Sequence, residues 1–278
     1  MVRVFKLRNA NGEELNLTRV GELVLFDVEG LGYETNPVTQ RVGNHFAILA
    51  DDFEQGEISG YVKFWLPQAY KAFFNFAQFC QIKPLTLVYE NDAGVFLRDG
   101  IMKRVGKAES NGSALTSDIT FLATTPYYRV VKEMSESSAI GGKVYNYTYP
   151  YTYAGSATQS VIIESDAEME SPTKIEIYGP VENPTWRHYL NNVLKATGTV
   201  NAVIEEGRKL VIDTSSIPYR IVQTDMLGNL VSDLYQFSDF ETERFIWVGK
   251  GKNAISVTQT AVGNVLMAVE ARLEYAAV

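Results

Sequence analysis

The chain has 278 residues, with 25 Lys and Arg against 33 Asp and Glu and a formal net charge of −8. That acidity argues against DNA or RNA as the main partner, which would call for a basic face. The lone Cys80 excludes an internal disulfide and a cysteine-based zinc site, and only His45 and His188 are available for histidine chemistry.

No apolar run approaches the ~20 residues needed to span a bilayer. The start, MVRVFKLRNANGEELNL, turns polar too soon for a secretory signal. A soluble protein made in the cytosol is therefore expected. With 16 Tyr and 14 Phe but few helical patterns, the composition points to β-structure.

Along the first half, Asn11-Gly12 is a hairpin-turn dipeptide. Gly30-Leu31-Gly32 lacks the strand–turn–helix setting and the following Lys-Ser/Thr of a phosphate loop. The acidic cluster Asp51, Asp52, Glu54 and Glu57 has Gly56 at the sixth position of a calcium loop. Phe53 and Gln55 stand at the third and fifth positions and Lys63 near the place of the closing Glu, so the cluster reads as a solvated turn.

Residues 66–81 form the one clear helical pattern, with Pro67 suited to the first helical position. Gln68, Lys71, Asn75 and Gln78 make a narrow polar stripe, and apolar residues cover nearly everything else. Such a helix must be covered on more than one side. Its own sheet can cover one side; the other is covered either by a neighbouring subunit or by wedging within its own domain. On the first reading Phe73, Phe74, Phe76 and Phe79 are the candidate subunit interface, and Phe76→Asp or Phe79→Asp is expected to leave soluble monomers.

Leu85, Leu87 and Tyr89 alternate with Thr86, Val88 and Glu90, and after a turn at 91–94 the chain returns over 95–104. Strand edges such as 88–104 could augment a neighbouring sheet. Asn111-Gly112 marks another turn, and Ile119, Phe121 and Ala123 alternate up to Pro126.

The small polar run at 134–143, which includes Gly141-Gly142, marks a boundary. Tyr145, Tyr147, Tyr149, Tyr151 and Tyr153 then share one face if the segment is extended. Pro150 in their midst confines the segment to an edge strand or a free connector. A joint between domains fits this pattern better than a sugar platform, which needs a concave site with polar groups beside the rings.

Beyond it, Ile175 with Ile177, Leu210 with Ile212, and the run Met267, Val269, Ala271, Leu273, Tyr275 read as strands wet on one side. Turns at Gly228-Asn229 and Gly249-Lys250-Gly251 separate short strands, as in a β-sandwich or jelly roll. Trp186 reads as core and His188 as a partly exposed structural histidine. No nucleophile elbow or other enzyme signature is present, and no cofactor or metal is expected.

Several stretches taken together resemble the distal tail protein of long-tailed, non-contractile phages of Gram-positive hosts, the family often called Dit. They are FDVEGLGYE (26–34), VYENDAGVFLRDGIMKR (88–104), SDITFLATTPYYRVV (117–131) and YTYPYTYAG (147–155). TKIEIYGPVENPTW (173–186), GRKLVIDTSS (207–216) and VGKGKNAISVTQT (248–260) complete the set. The resemblance implies a mainly β chain: a ring-forming β-barrel or sandwich domain with one helix over 1–135, a linker with the tyrosine connector over 136–157, and a galectin-like β-sandwich over 158–278.

It further implies a structural protein, not an enzyme. Copies would form a homohexameric ring at the virion tail tip, assembled in the host cytoplasm. The ring would join the tail-tube protein to the tail-associated hub protein and carry receptor-binding or baseplate proteins, with no membrane contact and no nucleic acid contact as its main role. The galectin-like domain would act as a docking scaffold. Two other readings are a carbohydrate-binding module for host wall polymers, using Trp186 or the tyrosine row, and a tail-tube protein.

Overall fold

The computed structural model describes residues 3–19, 23–107, 109, 113–137, 160–239, 242–261 and 264–278. The tyrosine row lies outside the described residues, as do Asn111-Gly112 and Gly141-Gly142. The chain divides into two units. The first comprises Met1–Arg129 with Tyr275–Val278, and the second Val130–Glu274. This differs from a division at residue 135, which falls inside a strand, and from an uninterrupted C-terminal domain.

The first unit holds β1 (Val4–Arg8), β2 (Glu14–Asn16), β3 (Thr18–Arg19), β4 (Leu23–Glu29), β5 (Thr35–Val42), β6 (His45–Phe53) and β7 (Glu57–Trp65). After helix α1 (Ala69–Phe79) come β8 (Leu85–Asn91), β9 (Gly94–Val105), β10 (Ala114–Ala123) and the start of β11 (Tyr127–Ser137). Strands β2, β1, β8, β9, β10, β7, β4 and β3 pair in that order and curl round one apolar core. The ends of the curl meet through single hydrogen bonds, Leu17 N–H to the Phe5 carbonyl and Leu25 N–H to the Leu17 carbonyl, both 2.8 Å. A mainly β unit with one helix is what the composition and alternation predict; it is an open curled sheet, not a closed barrel.

Alternation explains the core. Leu85, Leu87 and Tyr89 of β8 and Phe96 of β9 point inward with Leu115, Ile119 and Phe121 of β10. Strand β8 lies between β1 and β9, and β9 lies beside β10. The expectation that 88–104 offers a free edge is therefore wrong: both strands already have neighbours on each side. Tyr275 closes against this unit, meeting Phe96 edge-on at 5.4 Å and accepting a 2.9 Å hydrogen bond from Arg129 Nε.

The second unit is a β-sandwich. Its strands are β12 (Ser160–Ser165), β13 (Ser171–Tyr178), β14 (Val181–Glu182), β15 (Thr185–Leu190), β16 (Val193–Thr199) and β17 (Val203–Ile204). They continue with β18 (Arg208–Asp213), β19 (Arg220–Asp225), β20 (Leu230–Asp233), β21 (Trp247–Val248), β22 (Gly251–Thr258) and β23 (Val265–Tyr275). One antiparallel sheet runs β20-β19-β18-β13-β23 and the other β12-β22-β15-β16. The expected strands at 175–177, 210–212 and 267–273 all lie in the first of these sheets, with Ile175, Ile177, Leu210, Ile212, Met267 and Val269 turned into the core.

Trp186 is fully buried and donates from Nε1 to the Arg244 carbonyl at 2.7 Å. Its cross-strand partner is Gly198, where a Cβ would fall 2.3 Å from the indole. Only glycine leaves room for that ring. Trp186 is core, and a role for it as a sugar platform is excluded by its burial. His188 is also buried, against the expectation of partial exposure, because it shares the inward face of β15 with Trp186, whereas Arg187 between them is exposed.

Candidate assembly surface

Helix α1 starts at Ala69, later than the pattern suggests. Leu66 N–H still bonds the Ser113 carbonyl (3.2 Å) and holds the chain along the sheet up to that point. The helix lays Phe76, 1% exposed, into the unit's own core. Phe73 and Phe76 each meet Phe64 of β7 edge-on at 5.7 Å. Phe79 also packs on this core, whereas Phe74 is 59% exposed and Tyr70 lies exposed one turn before it.

The four candidate phenylalanines therefore do not share a surface. A helix reveals its faces through periodicity, but not which face its own sheet covers. Phe76→Asp would place a charge in the core and unfold the subunit, contrary to the expected release of intact monomers. Phe74 is the member left for an interface.

A larger exposed apolar surface lies elsewhere in the same unit. Among the described residues, strands β5 and β6 pair only with each other, joined by Gly43-Asn44 with Gly43 at φ +64°. The left-handed conformation suits glycine in a two-residue hairpin turn. Val38, Val42, Phe46, Ile48, Leu49 and Phe53 are all exposed, from 51% at Phe53 to 69% at Phe46. Leu49 is the extra residue of a bulge between the Ile48–Thr39 and Ala50–Val38 pairs. Tyr33 meets Phe53 edge-on at 5.5 Å near the root.

The root is defined by a close approach. Gly30 has φ +80°, and a Cβ there would lie 1.9 Å from the Glu57 carbonyl oxygen. The Gly30-Leu31-Gly32 segment thus lets the chain leave β4 for the hairpin past the start of β7. Asp51 and Asp52 sit on β6 opposite Pro37 and Asn36. Glu57 makes an ion pair with Lys103.

An isolated two-stranded hairpin is marginal in water. Among the described residues nothing pairs with the outer edge of either strand, and open edges of that kind pair readily with another chain. Fully burying a Val, Leu, Ile or Phe side chain contributes about 1.5–3 kcal/mol. Residues already half to two-thirds exposed retain most of that gain for an encounter with a partner. The acidic cluster and the glycines drew notice in the sequence; the hairpin between them was not anticipated. The available signal was Gly43-Asn44 set between VTQRV and HFAIL.

The groups that could carry chemistry are tied into structure. Burial pushes the Cys80 thiol up to about 12, so it stays protonated and unreactive near neutral pH. Neutral His188 faces Asn253 Oδ1 through Nε2 at 3.0 Å. Asn253 Nδ2 in turn donates to the Gly249 carbonyl (2.8 Å) and the Gly251 carbonyl (3.0 Å). This buried network pins the 249–251 turn to β15.

Residues 4–124 match the family described as distal tail protein, N-terminal domain. Both the helix and the β5–β6 hairpin lie within that span. Among solved structures, the chain is similar to one from the phage P2 baseplate in its activated conformation with calcium. That likeness has a TM-score of 0.66 at 17% identity and covers 100% of both chains. A strontium form of the same baseplate gives a TM-score of 0.60 at 17% identity, over 97% of this chain and 98% of that one. The SPP1 Dit protein, described as a paradigm of the hub adsorption apparatus in phages that infect Gram-positive hosts, gives 0.59 at 9% identity, covering 96% and 99%. At such identities the likeness concerns the fold. No curated protein matches the chain.

Proposed function

We propose, from the match of residues 4–124 to the distal tail protein N-terminal domain, that the chain is a structural component of a phage tail and closes with copies of itself into a hexameric ring at the tail tip. The observation that carries this reading is the hairpin of β5 and β6, whose Phe46, Ile48 and Leu49 lie exposed on strands that no other described strand pairs with. A ring needs each subunit to present one surface to a different surface on its neighbour, a heterologous contact that closes. An arm that inserts apolar side chains into the next subunit supplies one half of that contact. Phe74 and Tyr70 of α1 add a second exposed apolar surface in the same unit.

In this reading the ring joins the tail-tube protein on one side to the hub protein on the other. The β-sandwich unit serves as a docking scaffold for receptor-binding or baseplate proteins. Assembly takes place in the cytoplasm of a Gram-positive host. Tyr145, Tyr147, Tyr149, Tyr151 and Tyr153 remain proposed as a joint between the two units.

Native mass spectrometry of the purified chain tests the reading. A hexamer is expected, and the triple variant Phe46→Ser, Ile48→Ser, Leu49→Ser should yield folded monomers. A wild-type protein that stays at the 31.1 kDa monomer mass at high concentration refutes the ring.

A further inference from the structure

The β-sandwich unit contains a concavity in the half of the chain that does not carry the β5–β6 hairpin. It lies along β19 and β20, has a volume of about 640 Å³, and is walled by Tyr219, Tyr235 and Phe245. Tyr219 meets Phe245 edge-on at 5.3 Å, and Tyr235 runs 23° from parallel to Phe245 at 6.4 Å. Phe245 thus contacts both tyrosines, and Arg244 donates to the Tyr235 hydroxyl at 2.8 Å with its guanidinium 5.0 Å from that ring's centre; Tyr219 and Tyr235 remain 44% and 40% exposed.

Polar groups stand beside these rings. Arg220, Asp233 and Thr224 also line the groove. Asp233 Oδ1 accepts the backbone N–H of Tyr235 at 2.9 Å, which ties the carboxylate to the turn that carries the ring. Thr224 is 7% exposed, and its hydroxyl has no hydrogen-bond partner among the described residues. Aromatic walls with a few polar groups in a concavity of ~300–1,000 Å³ are the usual make-up of a small-ligand site.

We infer that this groove binds a short saccharide, with a sugar face against Tyr219 and Tyr235 and its hydroxyls on Asp233 and Arg220. A hydroxyl both donates and accepts, so one ligand type satisfies a carboxylate and a guanidinium together. A wholly apolar ligand would bury those groups unpaired, at about 1–3 kcal/mol each. A phosphate would meet the Asp233 charge. A peptide strand added along β20 would turn alternate side chains away from the groove, and so would use only half its contacts. The Trp186 ring is buried, so this is a different place from the sugar platform weighed in the sequence.

The experiment titrates the full chain with maltotriose, cellotriose and chitotriose while following intrinsic fluorescence. Trp247 stands edge-on to Tyr219 at 5.5 Å and reports on the groove. At least one probe should bind with a dissociation constant of about 1 mM or tighter, weakened roughly tenfold by Tyr235→Ala and by Asp233→Asn. Asp233→Asn preserves the side-chain shape, so a loss there cannot be assigned to altered packing around a missing ring. Failure of all three probes to bind, or binding that both variants leave unchanged, overturns the inference. Either result leaves ring assembly untouched, because the triple hairpin variant tests that in the other unit.

Discussion

Two hairpins of the first unit share a short turn and partial alternation, and have opposite fates. Strands β8 and β9 join through a short turn ending in Gly94, and β5 and β6 through Gly43-Asn44. Each alternates apolar and polar residues in part. In the first, Leu85, Leu87, Tyr89 and Phe96 are buried; in the second, Val42, Phe46, Ile48 and Leu49 face outward. The difference lies in the neighbours. β8 has β1 beside it and β9 has β10, whereas among the described residues β5 and β6 have only each other. Alternation specifies a strand and its faces, but what covers a face is a property of the fold.

The largest expected effect sharpens this contrast. Leu87 is 3% exposed in the covered hairpin. Leu87→Ala should destabilise the subunit by about 2–5 kcal/mol, read from urea unfolding, because it removes buried methyl groups and leaves a cavity. A loss comparable to that of a surface substitution would mean that β8 is not part of a tightly packed core.

The same distinction sets the limits of what was legible in sequence. The β8–β9 hairpin, the strand at 119–123 and the inward row of β23 could be read because each spans several alternating pairs. The β5–β6 hairpin escaped notice because Pro37 and polar residues dilute its first strand, and the acidic pair Asp51-Asp52 gave its end the look of a solvated turn. In α1, Phe74 and Phe76 are the same residue type two positions apart. Nothing local distinguishes the exposed one from the buried one; Phe64 of β7 does so from outside the helix. The groove at β19 and β20 was illegible for a related reason. Its rings come from positions 219, 235 and 245, and only the fold brings them together.

A covered strand also decides the state of a histidine, and this gives a smaller, pH-dependent effect. Burial in β15 holds the His188 imidazole below its ordinary pKa; the hydrogen bond with Asn253 opposes that shift and Lys195 adds to it. The unfolded chain therefore binds this proton more readily than the folded one. Its contribution to stability should be fully present above the unfolded-state value of about 6.5 and decline as pH falls below it toward the folded value. Burial of Glu274 acts in the opposite sense, because it pushes that carboxyl up to about 7 and favours the protonated folded form. The useful measurement is the difference between wild type and His188→Gln in urea midpoints at neutral pH and again about two units lower. Wild type should lose more stability than the variant on acidification, and equal losses would place His188 in contact with solvent.

The smallest effect on the subunit tests the comparison from the exposed side. Ile48 is 67% exposed, so Ile48→Ser removes little buried area within its own chain. At dilutions where subunits are separate, its unfolding free energy should stay within about 0.5 kcal/mol of wild type. At higher concentration the same variant should assemble less, since the side chain would gain its burial only from a neighbour. A destabilisation of the separate subunit as large as that of Leu87→Ala would show that the hairpin is held by its own unit. The two hairpins would then differ in degree alone, and the arm would lose its claim to reach another subunit.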